Sequence, residues 1–369
     1  MADEWTVLPV NQAAHVSAYY ASARLGIHPA SLQIPDKAFF SASGEGQPAS
    51  KKRKVSRRQE AEKNARRQEL IASGKLVLLD EATKRELSRA HAYATSAERL
   101  PSLLSPATDG TEEIIEPAKE TAPACSDDSS RGENPHDHVQ IVIHPRSDEQ
   151  VVLPPHSRFF LGDIRDISMA AIGKFRLIVM DPPWQNQSVR RGRQYDTFQH
   201  TDLWKIDVPS IADEEECVLG IWVTNRPLYS RFVVEELLPA WGFELHDTWF
   251  WLKISRNGEL VSPLDSTHRL PVEKLLVAHR ARDATKRTVL RSRLGGAPRV
   301  VVSIPLRHSW KPPPEAFFDS AVMDACARSS VELFARELRP HWTSVGNQVL
   351  HFQKLRLFQQ LIDSEATST

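Results

Sequence analysis

The sequence predicts an α/β domain built on a mostly parallel sheet with an N-terminal helical extension, and three observations carry that prediction. From about residue 139 onward, short apolar runs of strand character alternate with helical patterns, which lays helices on both faces of a parallel sheet. One run, Arg176 to Met180, has buried-strand character and passes straight into Asp181, Pro182, Pro183 and Trp184. A carboxylate, a fixed turn and an indole then stand together at a strand's carboxyl end, where open α/β sheets hold their ligands. Ahead of this region, positions 51–70 hold nine Lys or Arg against three Glu, and the spacing from Gln59 is helical.

In chain order, residues 1–50 carry apolar patches (VLPV, SAYYASARLGI, DKAFF) too sparse for a core of their own. They are expected to be partly ordered and docked on the main domain, with Tyr19 and Tyr20 as packing groups. Residues 51–100 form a basic helical region. Its cluster Lys51 to Arg58 suits nuclear import or phosphate binding, a helix is expected over Gln59 to Ser73 before Gly74, and Asp80 opens a second helical stretch to about Leu100. Residues 101–137 are rich in Pro, Ser, Asp and Glu and bury too little to offset their ordering entropy, so a disordered acidic linker is expected.

The remaining 138–369 is the expected folded domain. Strands are predicted within VQIVI, QVVLP and RFFLGD and at 218–223, 244–252, 273–279, 299–304, 331–336 and 348–352. Helices are predicted at 167–172, 228–241 and 314–328, with Pro227 and Pro314 suited to first-turn positions.

With 369 residues, 47 of them basic and 47 acidic, the chain has room for one large domain and an appendage, and its charge is segmented rather than net. The three cysteines, 125, 217 and 326, form no CxxC pair, and the histidines do not cluster. That excludes a recognisable zinc motif and a secreted disulfide framework. No signal-like start and no run of about 18 apolar residues occurs. A soluble intracellular protein without a metal is expected. The absence of GxGxxG speaks against a plain nicotinamide dehydrogenase.

The tetrapeptide's chemistry can be argued from its residues. Two prolines fix φ and remove two donors, leaving carbonyls to point into the site beside the Asp181 carboxylate. Acceptors next to an aromatic face suit a planar group bearing NH2, such as the amine of adenine. Drawing on its N–H bonds localises the nitrogen lone pair and stabilises the charge that develops when it attacks an electrophile. The polar stretch 185–200 sets Arg190, Arg191 and Arg193 around Gly192, which suits phosphate and base contacts. Asp163, at a strand end, fits either an adenine amine or a helix cap. Lys311, at a helix start, suits a carboxylate, and Glu332 within an apolar strand suits a ribose diol.

These stretches, over about 150–355, resemble the eukaryotic adenine-N6 methyltransferases that carry a DPPW signature. VLPPHSRFFLGDI, DPPWQNQSVRR and VELFARELRPHWTSVGNQ are most similar to the methyltransferase-like four branch of that family. The resemblance implies a Rossmann-like, S-adenosylmethionine-dependent fold with permuted motif order, the catalytic tetrapeptide preceding the cofactor strand.

It assigns Asp181, Pro182, Pro183 and Trp184 to catalysis, with the Pro182 carbonyl as second acceptor. It names Asn186, Arg190, Arg191, Arg193 and Tyr195 as substrate contacts. Asp163, Ile164, Asp181, Lys311, Glu332, Phe334, Arg336, Asn347 and Gln348 would hold the cofactor. Trp310 stands where a histidine is expected before Lys311.

The implied activity is N6-methylation of 2′-O-methyladenosine in U2-type small nuclear RNA; a monomer is expected, located in the nucleus as the basic cluster suggests, with the cytoplasm as an alternative. DNA adenine is the first alternative. A protein-glutamine methyltransferase would share the acceptor geometry, although its tetrapeptide usually begins with Asn. A non-catalytic RNA-binding scaffold is the third alternative, against which an intact Asp181 and Trp184 speak.

Overall fold

A computed structural model describes residues 5–33, 65, 79–104, 130–185, 198–266 and 270–360. The basic cluster 51–58, the helix expected over 59–73 apart from position 65, and most of the linker lie outside the described residues. So do Asn186, Arg190, Arg191, Arg193 and Tyr195.

Ten strands form one mixed sheet: β1 (Thr6–Pro9), β3 (Arg131–Glu133), β6 (Arg158–Leu161), β7 (Leu177–Met180), β8 (Glu216–Val223), β9 (Glu244–Lys253), β10 (Val272–Ala281), β11 (Arg299–Ser303), β12 (Ser330–Leu333) and β13 (Trp342–Gly346). Their order is β1-β11-β9-β10-β8-β7-β12-β13-β6-β3. Most neighbours run parallel, while β10 is antiparallel to both β8 and β9, and β3 is antiparallel to β6. Two small sheets stand apart: β2 (Leu25–Ile27) pairs with β14 (Phe358–Gln360), and β4 (Gln140–Ile143) with β5 (Gln150–Leu153).

Alternation along the central strands divides the core in two. Ile178 and Met180 of β7 join Leu219, Ile221, Val331 and Leu333 under the short helices Met169–Ile172 and Val208–Ile211. Leu177 and Val179 turn the other way, with Val218, Trp222 and Leu275, under the helix Ala284–Leu294.

From β7 the chain passes to β8 on one side of it, and from β12 to β13 on the opposite side. The carboxyl ends of β7 and β12 therefore flank a point where the winding reverses, the crevice in which such sheets bind ligands.

Several elements differ from expectation. The strand expected at 348–352 is a series of turns, and 342–346, absent from the predicted strands, is the strand β13. Its Thr343 and Ser344 are buried in a central parallel ladder, where strands need not alternate visibly. The helix expected over 228–241 begins at Pro227 but widens into a π turn over Phe232–Leu237 before Leu238–Ala240. Pro239 has no N–H and its ring crowds the preceding turn, which favours the wider register.

The helix expected over 314–328 splits into the turn Pro314–Ala316 and Ser320–Ala325, because Asp319 caps the second piece through Val322 N. Part of the expected linker is ordered, since Arg131–Glu133 forms β3. The N-terminus also enters the main sheet, β1 pairing in parallel with β11.

Candidate active site

The tetrapeptide sits on the crevice, and its turn is anchored at both ends. Asp181 N donates to Leu333 O of β12 at 3.4 Å, which ties the start of the turn to the neighbouring strand end. Pro182 O, expected to be free, accepts from Trp184 N at 2.8 Å. A carbonyl has two lone pairs, so it retains one acceptor position.

The sequence reading sets the Trp184 indole as the aromatic face beside the acceptors. In the fold its indole is 8% exposed, donates from Nε1 to Trp222 O at 2.7 Å and stacks on Tyr229 with ring centres 4.7 Å apart. A buried indole N–H requires a partner, and meeting that need makes Trp184 the anchor of the turn. Tyr229 Oη and Arg226 Nη1 then donate to Gln185 O at 2.8 and 3.1 Å, fixing the residue that follows.

Asp181 heads a chain of alternating charges. Lys311 Nζ lies 3.1 Å from Asp181 Oδ2 and 2.7 Å from Glu273 Oε2, and Glu273 also pairs with Lys253. Burial would raise the Glu273 pKa, but the two ammonium groups overcome it and hold the carboxyl well below its ordinary range. Burial likewise opposes the charge on Lys311, and Asp181 and Glu273 together push its pKa up. An ammonium has three protons. Two carboxylates engage Lys311, which leaves it the capacity for a third acceptor.

A second buried cluster closes the other side. Arg339 pairs with both Glu332 and Glu337, and Trp310 Nε1 donates to Glu337 Oε2 at 2.7 Å. Trp310 also stacks on Phe352 with centroids 4.1 Å apart, which gives a physical role to the residue standing in place of the expected histidine. Burial pushes the Glu337 carboxyl up to about 7 against the opposing pull of Arg339, and raises that of Glu332 as well.

Between the two clusters lies a narrow cleft lined by Val179, Trp222, Lys311, Phe317, Glu332 and Arg339.

The strand ends on the β12–β13–β6 side approach one another closely. Phe334 ends β12 with φ 60°, a left-handed conformation uncommon outside glycine. A Cβ on Gly346 would meet the backbone N and O of Ala335 at 3.1 Å, so glycine there lets the two loops touch. Gly162 N donates to Gly346 O at 3.3 Å, which sets Asp163 and Ile164 beside Asn347. Asn347 and Gln348 are exposed, Arg336 is half-buried and Ile164 is buried. Asp163 accepts from Arg165 Nε and Nη2 at 3.0 and 2.6 Å, so its carboxylate is committed to a local pair.

For S-adenosylmethionine, the groups present are chemically suited. A lysine with spare donor capacity and the Glu332 carboxylate line the cleft, exposed amides stand at the end of β13, and the hydroxyl of Ser344, level with Glu332, is buried without a hydrogen-bond partner among the described residues.

The fold thus sets Lys311 and Glu332 on one cleft and joins Asp181 to it through Lys311, with Asp163, Ile164, Phe334, Asn347 and Gln348 along the adjoining strand ends. Sequence reasoning missed Glu273, Lys253, Glu337, Arg339, Arg226 and Tyr229. The charged residues inside apolar strand runs, such as Glu273 in VEKLLVAHR, were the available signal, because an unpaired charge does not stay buried there.

Residues 175–348 match the family model described as MT-A70. The human protein named N(6)-adenine-specific methyltransferase METTL4 is 39% identical over 218 residues, 57% of this chain and 45% of the relative. The N6-methyladenosine RNA methyltransferase MTA1 of Pyricularia oryzae is 34% identical over 54% of each chain. The DNA N6-methyl methyltransferase of Caenorhabditis elegans is 31% identical over 60% of this chain and 59% of the relative. The aligned regions span about half the length of these relatives. The tetrapeptide, Lys311 and Glu332 all fall within this matched region, so residues 175–348 form an MT-A70 domain, of a family of S-adenosylmethionine-dependent methyltransferases, and the two METTL4 relatives support its METTL4-like branch.

Proposed function

We propose that the chain methylates adenine N6 in RNA with S-adenosylmethionine as donor, its target being 2′-O-methyladenosine of U2-type small nuclear RNA, in the nucleus and as a monomer. The observation that carries this reading is Asp181, held at the reversal point of the sheet by Lys311 at 3.1 Å and flanked by the anchored Trp184 turn. The permuted, Rossmann-like motif order belongs to the same reading, Asp181 on β7 preceding Glu332 on β12. An RNA substrate is supported by the name of the Pyricularia relative.

When bound, S-adenosylmethionine supplies an electrophilic methyl group. Lys311, Glu332, Asn347 and Gln348 are the groups that would hold it. Lys311 fixes Asp181 Oδ2, and a carboxylate accepts about four hydrogen bonds, so Asp181 retains capacity for an amine N–H. The remaining lone pair of Pro182 O is the second acceptor. Acceptors already in place cost no reorganisation as positive charge grows on the nitrogen.

Asp181→Ala is expected to lower single-turnover methylation by at least about 10²-fold, and a rate near wild type would overturn the role. Substrate class is tested by transfer of labelled methyl to matched RNA and DNA oligonucleotides bearing adenosine or 2′-O-methyladenosine, followed by nucleoside mass analysis. DNA is the second reading, favoured by the name of the Caenorhabditis relative. Preference for DNA in that assay would replace RNA with it.

A further inference from the structure

The N-terminal segment 5–33 lies outside the region matched by the family model, yet it grips the loop that carries Lys311. β1 runs beside β11, whose last residue Ser303 leads into that loop, and Val10 N donates to Val302 O at 2.9 Å. Asn11 accepts from Ala14 N and so caps the helix Gln12–Ala18. The first residue of that helix, Gln12, is 2% exposed and donates from Nε2 to Lys311 O at 3.0 Å and to Trp310 O at 3.4 Å. Beyond the lysine, Tyr19 Oη donates to Glu315 Oε2 at 3.1 Å, and before it Gln33 N donates to Leu306 O at 2.8 Å. Ser309, two residues before Lys311, has φ 64°, a conformation that persists when its surroundings impose it.

We infer that Gln12 is a positioning residue of the methyl-donor pocket: by holding the two carbonyls at Trp310 and Lys311 it sets the direction from which the Lys311 ammonium enters the cleft. The N-terminal segment is therefore part of the pocket. This inference rests on the donor-binding reading above.

Lys311 reaches Asp181 and Glu273 from a loop flanked by four prolines, Pro305, Pro312, Pro313 and Pro314, whose missing N–H groups reduce the backbone bonds the loop can make for itself. The segment comes from some 300 residues earlier in the chain and supplies those bonds instead. A buried amide is suited to the task, since its NH2 offers two donors to two carbonyls. Its oxygen, Oε1, accepts from Ser303 Oγ at 3.4 Å, which fixes the amide's orientation.

The test uses the full chain and Gln12→Met, close in shape but without donors. Binding of S-adenosylhomocysteine is read by calorimetry, and hydrogen exchange is followed across 306–315. The KM values for S-adenosylmethionine and for the oligonucleotide are measured separately.

Gln12→Met is expected to bind S-adenosylhomocysteine about 5- to 10-fold more weakly, the loss of one or two modest hydrogen bonds. Exchange across the loop should be faster, and the donor KM should rise while the oligonucleotide KM stays unchanged. Wild-type affinity in a folded Gln12→Met would overturn the inference, as would an equal rise in both KM values. Should that variant not fold, Tyr19→Phe decides by the same criteria, with an expected loss of about 2- to 5-fold. A wild-type chain that binds no S-adenosylhomocysteine would overturn the donor-binding reading and this inference with it.

Discussion

Replacing Glu273 by Gln tests the electrostatics of the site at a residue whose importance only the fold reveals. The carboxylate lies 2.7 Å from Lys311 Nζ and also pairs with Lys253. At an effective dielectric constant of about 20, one pair at that distance carries roughly 6 kcal/mol of gross attraction. Most of this is offset by the several kcal/mol lost in desolvating each ion.

Lys311 keeps Asp181, and 28% of the Glu273 side chain remains exposed to screening water, so the net loss belongs below the usual 3–5 kcal/mol for a broken buried pair. About 2–3 kcal/mol is expected at pH 7. Burial opposes the low pKa of Glu273 and the two lysines enforce it, so its contribution is present above the ordinary value of 4.5 and is lost as pH falls towards the depressed folded value. Urea unfolding of wild type and Glu273→Gln from pH 7 to pH 2.5 should show a full gap above 4.5 that narrows below it. A gap under about 1 kcal/mol at pH 7, or one that stays constant to pH 2.5, would refute the reasoning.

Glu337 predicts the opposite slope: with its folded pKa pushed up to about 7, chiefly by burial, the native state binds the extra proton and loses stability as pH rises from about 4.5 to 7. Glu337→Gln cannot titrate, so its Tm should be flatter than wild type across that window, and parallel profiles would exclude the assignment. Gly346→Ala places a methyl 3.1 Å from the Ala335 backbone and should cost about 1–3 kcal/mol by overpacking, read as a drop in the urea midpoint. Trp184→Phe removes the donor to Trp222 O. The orphaned carbonyl and the lost volume should together cost about 2 kcal/mol, again from urea unfolding, with turnover falling as the turn loosens.

What was legible in the sequence was local. An uninterrupted apolar run ending in Asp-Pro-Pro-Trp marks a buried strand and its exit, and the structure puts Asp181 at the end of β7. Pro227 announced a helix start, whereas Lys311, read as opening a helix, stands in a loop ahead of the turn Pro314–Ala316. What could not be read depends on partners distant in the chain. Glu273 matters because β10 is antiparallel to β9, which sets Lys253 within reach, and no periodicity within either strand states their register. β1 is four residues whose partner β11 begins nearly 300 positions later. Phe334 ends β12 at a positive φ that a side chain of its size rarely adopts, so continuing the strand to 336 was the natural extrapolation. The indole of Trp184 looked like a platform because its N–H partner, a carbonyl of β8, is a tertiary fact.

The charges around the cleft also bear on which ligand fits it. Asp181, Glu273, Glu332 and Glu337 face Lys253, Lys311 and Arg339, four carboxylates against three cations, and the acids are bound to the bases in unbroken alternation within each cluster. With every group ionised the two clusters together carry one net negative charge, in surroundings where an uncompensated charge is costly. The upward shift of Glu337, driven by burial, works in the direction that eases this excess. S-adenosylmethionine carries a sulfonium, an ammonium and a carboxylate, one net positive charge, and would balance the two clusters without that proton. S-adenosylhomocysteine has lost the sulfonium charge and would leave the excess in place. The two clusters should therefore hold the donor more tightly than the spent product while still binding both, a preference read by titrating the wild-type chain with each, and equal affinities would refute it.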